Sequence, residues 1–172
     1  MKSKIKQKNS TGFTMIETLV AIAVLLLSIA GPLTIASRGI VSAAFARDQI
    51  TAFHLAREAV ELVRNQRDTN TITNSNWTNG LAVCFSPGCK VEPSTGVFST
   101  CVAGNCPVLN INTVTGVYGY TTGGNWVETP FTRNITITNI NPNEISISVT
   151  ISWATGVLTK SFTIKENFLN WQ

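Results

Sequence analysis

Four cysteines, one histidine and one isolated carboxylate are the side chains here whose type and spacing could do chemistry. Cys84, Cys89, Cys101 and Cys106 fall within 23 residues as two C-x4-C pairs, CFSPGC and CVAGNC. An even count in so short a stretch reads as disulfides if the region is exported. A four-thiolate zinc site is the alternative, with this spacing at the long edge of zinc ligation. A hairpin turning at residues 92–96 (EPSTG) would set Cys89 opposite Cys101 and Cys84 opposite Cys106, because both pairs centre on residue 95. Nested connectivity is therefore the expectation, and the local pairs, which close shorter loops, compete with it. His54 is the only histidine, so triads and metal sites that need several histidines are excluded. Between Phe53 and Leu55 it reads as a solvated or core-edge side chain. No nucleophile motif, phosphate loop or acidic pair stands out beyond residue 81. Neither an enzyme, a cofactor nor a resident metal is expected.

Glu17 is the carboxylate. It sits just ahead of Leu19–Ser37 (LVAIAVLLLSIAGPLTIAS), 19 uncharged residues, close to the ~20 that cross a bilayer as helix. A carboxylate inside a bilayer costs ~2.5–3.5 kcal/mol on insertion scales. Either Glu17 snorkels to the interface or it needs a cationic partner within a protein assembly. Upstream, Lys2, Lys4, Lys6 and Lys8 form a basic tail that ends at Gly12-Phe13. A secretory signal is cut after its apolar core. A cut between Gly12 and Phe13 would instead remove the charges and leave the apolar helix on the mature chain. The new amine at Phe13 is a poor partner for Glu17 within one helix, but between two staggered helices the pair could neutralise both charges.

The elements that must position these residues follow from periodicity. The lysines precede the apolar run, so the positive-inside rule puts the N-terminus in the cytoplasm and the bulk of the chain outside. Past the span, Phe53, Ala56, Val60 and Val63 recur at three- and four-residue steps as one apolar stripe. Arg57, Glu61 and Arg64 are spaced to pair along the helix. The helix is expected from Phe13 to about Gln66, on the order of 80 Å at ~1.5 Å per residue. Pro32 cannot donate to the carbonyl of Ser28, so the helix should kink or loosen there. Residues 69–80 read as a polar loop. Segments 133–140, 144–153 and 157–165 alternate apolar and polar side chains, the signature of half-buried strands. Asn141-Pro142-Asn143 and Ala154-Thr155-Gly156 separate them as turns. The expected fold is α+β, one long helix packed through its stripe on an antiparallel meander. The expected divisions are a leader over 1–12, a transmembrane helix over 13–37, its amphipathic continuation over 38–68, a loop over 69–80 and an extracytoplasmic β-rich domain over 81–172.

Composition agrees with export. Charged residues make up 13% of the chain, about half the usual ~25%. The net charge of +4 resides in the tail, since nine basic and nine acidic residues remain from Phe13 onward. A neutral body carries no electrostatic footprint for nucleic acid. Two glycosylation sequons, Asn76-Trp77-Thr78 and Asn134-Ile135-Thr136, read as chance in so Asn- and Thr-rich a domain.

GFTMIE followed by an apolar helix resembles the type IV prepilin N-terminus, shared by pilins and the pseudopilins of type II secretion. The resemblance spans about 25 residues and implies specific roles. Gly12 would precede the cut made by prepilin peptidase, Phe13 would become the N-methylated N-terminus, and Glu17 would be the acidic residue used in filament assembly. Thr14 also fits. A proline near position 32 would mark where the helix partly melts on filament packing. The last 66 residues hold no cysteine, which counts against a typical major pilin. The stretch FTRNITITNINPNEISISVTISWATG is similar to minor pilins and minor pseudopilins. The resemblance thus implies a structural filament subunit in the inner membrane, later in a cell-surface or periplasmic filament. Its partners would be other such subunits, prepilin peptidase and membrane lipid. The rival reading is a membrane-anchored extracytoplasmic binding or adhesion module, which has no need of Gly12-Phe13 or Glu17.

Overall fold

The computed structural model describes residues 12–155 and 158–170. The lysine tail and Gly156 of the expected second turn lie outside the described residues. One helix, α1 (Met15–Ile72), is followed by a seven-stranded antiparallel sheet. The chain divides into two compact units at Ala44/Phe45.

In the first unit, residues 12–43 are exposed throughout. An 18-residue stretch of α1 is apolar enough to cross a membrane, and none of it is buried against the chain. Its hydroxyls turn inward. Thr18 and Ser28 donate to carbonyls three residues back, and Thr34 and Ser37 to carbonyls four back, at 2.8–2.9 Å. The polar side chains are thereby satisfied within the helix, as hydrocarbon requires. The helix is continuous through Pro32.

In the second unit, the C-terminal part of α1 packs on the sheet. Three long strands, β5 (Trp126–Asn141), β6 (Glu144–Thr155) and β7 (Leu158–Leu169), form the antiparallel meander. Their register sets Phe131 opposite Trp153, Ile135 opposite Val149 and Ile137 opposite Ile147, so the period-2 apolar positions share one buried face. The other edge of β5 is shared. Its first half pairs with β3 (Val108–Asn112), which carries β4 (Tyr118–Gly119), and Ile135 pairs with Cys89 of β1 (Cys89–Glu92), which carries β2 (Val97–Thr100).

Helix α1 contributes Ala52, Leu55, Ala56, Ala59, Val60 and Val63 to this core. The seam is turned slightly from the expected stripe. Phe53 stays 42% exposed and rests on the Phe162 ring, 5.9 Å between centroids. Three alanines at the seam let the helix backbone approach the sheet, where a phenylalanine would hold it off. The helix also runs past Asp68 to Ile72. There Asn74 adopts a left-handed φ of 52°, Asn74 N–H bonds to Thr71 O, and Ser75 N–H bonds to Asn70 O. This is a Schellman ending with asparagine in the place usually taken by glycine.

The cysteine pairing departs from the nested expectation. Cys84 is bonded to Cys89 and Cys101 to Cys106. The expected hairpin forms, but Glu92 pairs with Val97 and Cys89 faces Thr100. Cys101 N–H instead reaches Gly88 O. A register offset of one residue moves a side chain to the opposite face, so Cys101 turns away from Cys89 and each cysteine takes its local partner. All four sulfurs are in S–S bonds, which replaces the thiolate zinc alternative.

Candidate functional site

The chemistry-bearing segment is the start of α1. The carbonyl of Thr14 accepts from Glu17 N–H (3.1 Å) and Thr18 N–H (3.2 Å), opening the helix. Glu17 lies in the first turn, where the positive end of the helix dipole favours a carboxylate. Among the described residues no ion pair engages it, and Phe13 and Met15 beside it are 72% and 85% exposed. Gly12 precedes the helix, and a Cβ built on it would meet nothing within 4 Å. The fold of the described residues thus makes no demand for glycine at 12, and it gives the carboxylate at 17 no partner beyond the helix dipole.

Residues 7–31 match the family described as the prokaryotic N-terminal methylation motif. The chain carries the type IV prepilin-like signature. Gly12, Phe13, Thr14 and Glu17 all fall inside the matched stretch. No curated protein and no solved structure matches the chain.

The signature segment is borne by a domain whose keystone is a residue that periodicity marks but composition hides. Arg133 is 0% exposed. It occupies the apolar parity of β5, on the same face as Phe131, Ile135 and Ile137. Its Nη1 donates to Glu58 Oε2 (2.7 Å) and Leu55 O (3.3 Å) of α1, and its Nη2 donates to Val91 O (2.9 Å) of β1. One guanidinium thus ties helix, hairpin and central strand. The signal was present in FTRNITI, where strict alternation already places the arginine on the buried side. The Tyr120 ring lies beneath it, with the guanidinium carbon 5.9 Å from the centroid and Lys90 Nζ at 4.8 Å. Burial raises the Tyr120 pKa above 10.0, and the Arg133 charge opposes that shift only in part. Burial likewise raises Tyr118.

The remaining candidates separate. His54 is exposed and meets Phe53 edge to face at 5.8 Å. With Thr51, Leu55, Glu58 and Tyr118 it lines an open groove of about 360 Å³. Asn134 is held in β5 by a bond from its Nδ2 to Gly104 O (3.0 Å), and Ile135 of the same sequon is fully buried. Asn76 is exposed and forms an Asx turn, its Oδ1 accepting from Thr78 N–H and Oγ1–H.

Proposed function

We propose that this chain is a structural subunit, a minor pilin or pseudopilin, of a type IV pilus-like or type II secretion filament. In this reading prepilin peptidase hydrolyses the Gly12–Phe13 bond on the cytoplasmic face of the inner membrane. The released Phe13 amine is methylated. The apolar part of α1 holds the mature subunit in lipid, with the β-domain outside, until it joins other pilin or pseudopilin subunits. Glu17 then pairs with the amine of a neighbouring subunit. Leader, span, amphipathic helix and β-domain divide as 1–12, 13–37, 38–68 and 81–172, with residues 69–80 between the last two and the end of the helix running on into them as far as Ile72.

One observation carries this reading. Within the matched stretch, a glycine stands where the chain's own fold needs none, and a carboxylate stands where only the helix dipole favours it. A plain membrane anchor gives no reason for the Gly12-Phe13 junction and only a weak one for Glu17, whereas a peptidase subsite and an intersubunit ion pair account for both. Intact mass spectrometry of the membrane-extracted protein tests the processing. The expected species begins at Phe13 and carries one methyl group. A chain still beginning at Met1 in cells with active prepilin peptidase overturns the proposal. Glu17→Gln tests the assembly contact. The variant should insert and be cleaved, yet be absent from sheared filaments, because removing one partner of a buried pair costs ~3–5 kcal/mol. A subunit at the filament tip has no neighbour ahead of it and would be spared, so normal co-purification of the variant with other tip components would assign it there.

A further inference from the structure

The far end of α1 carries a groove built from the second compact unit. It is an open groove of about 730 Å³, lined by Thr71, Asn74, Ser75, Asn76, Trp77 and Asn170. That volume is in the range of small-molecule sites, ~300–1,000 Å³. Its walls come from two distant parts of the chain, the end of α1 with the turn after it and the residue following β7.

Both walls are held in place. The turn begins with the Schellman ending at Asn74. Asn70, 5% exposed, then braces it from beneath. Its Nδ2 donates to Trp77 O (3.1 Å) and Asn79 O (2.7 Å), and its Oδ1 accepts from Gln66 Nε2 (3.1 Å). Trp77 leans on the core cluster, so its position is fixed by packing. Asn170 is fixed by its N–H, which donates to Asn143 O at 2.9 Å. A buried amide is thus committed to shaping the loop that presents Trp77.

The lining selects a chemical class. Among the described residues none of the six lining side chains carries a charge, so a phosphate, carboxylate or ammonium group would meet no counter-charge there. A purely apolar ligand would bury hydroxyl and amide groups without partners. Amides and hydroxyls each offer donors and acceptors, which suits a ligand dense in hydroxyl groups that do the same. The indole offers a flat apolar surface with one polar edge, which suits a ring whose face is made of C–H bonds. We propose that this groove binds an uncharged saccharide, one or two pyranose units, with a ring stacked on Trp77 and its hydroxyls bonded by Asn74, Asn76 and Asn170. The site belongs to the β-domain end of the molecule and stands whether or not the chain assembles into a filament.

The test uses the full chain in a detergent without a sugar headgroup. Arrayed neutral mono- and disaccharides of glucose, galactose, mannose and N-acetylglucosamine are the probes, with acidic glycans alongside, followed by calorimetric titration of any hit. Saturable binding of at least one neutral sugar is expected, with Kd on the order of 0.1–1 mM. Trp77→Ala should weaken it by about tenfold or more, and Trp77→Phe should recover part of the loss by restoring a ring. Since Trp77 touches the core, Asn74→Gly supplies an independent variant. Glycine keeps the left-handed backbone, so thermal unfolding should be unchanged while affinity drops by about threefold or more. The proposal is overturned if no neutral sugar binds above the Trp77→Ala background, if only acidic glycans bind, or if Trp77→Ala and Asn74→Gly both bind as the unaltered chain does.

Discussion

Removing the Glu58 carboxylate should cost more stability than removing the Arg133 guanidinium it pairs with, although Arg133 makes more hydrogen bonds. The reason is the difference in exposure, 0% for the Arg133 side chain and 38% for Glu58. Glu58→Ala leaves a fully buried cation with no counter-charge, held by the carbonyls of Leu55 and Val91 and the face of the Tyr120 ring. Stripping a partner from a buried pair costs ~3–5 kcal/mol, and the access of water to Glu58 lowers that to about 2–3 kcal/mol. Arg133→Met removes the buried charge itself. Glu58 can then turn to solvent, and the thioether side chain fills the space. The loss is mainly the bond to Val91 O and some packing, about 1–2 kcal/mol. In the Arg133→Met background, Glu58→Ala should cost almost nothing, giving a coupling of about 2 kcal/mol in a double-mutant cycle. Urea unfolding of the full chain in detergent, followed by tryptophan fluorescence, measures all four species. With a slope of ~2 kcal/mol per molar urea, Glu58→Ala alone should shift the midpoint by about 1 M. A Glu58→Ala cost within about 0.5 kcal/mol of zero, or costs that simply add in the double variant, would refute the reasoning and make this an ordinary surface pair.

The local disulfides are checked by non-reducing digestion with trypsin, because Lys90 separates Cys84–Cys89 from Cys101–Cys106. The peptides on either side of Lys90 should elute apart, each with a closed ring, whereas nested bonds would keep them joined. Reducing either ring should cost about 2 kcal/mol, the loop-entropy value for so short a loop. Tyr120 has a pKa raised above 10.0 mainly by burial, so its contribution is complete below pH 10.0 and is lost as pH rises through its folded-state value. Alkaline titration should therefore show stability falling above that pH, and Tyr120→Phe should flatten the fall. A fragment of residues 45–172, one compact unit, should fold as a soluble monomer without the apolar segment. Size exclusion and circular dichroism would expose aggregation or loss of sheet.

The N-terminal segment is legible residue by residue because its chemistry is local. A lysine tail, Gly12-Phe13, a carboxylate at 17 and an uncharged run form a contiguous pattern that needs no tertiary contact to be read. The same holds for β5, β6 and β7, where period-2 alternation alone places Ile135, Ile147 and Val149 on one face. What the sequence left open depended on register and on which neighbour arrives. The offset of one residue between β1 and β2 decided the cysteine pairing, and no spacing rule resolves an offset that small. The seam of α1 followed the close approach that Ala52, Ala56 and Ala59 permit, so Phe53 was left at its edge. Arg133 could be placed on the buried side by alternation. Only the assembled fold brings Glu58, Leu55 O and Val91 O to one guanidinium, from positions 75, 78 and 42 residues away, because a buried charge is tolerated only where distant segments converge to solvate it.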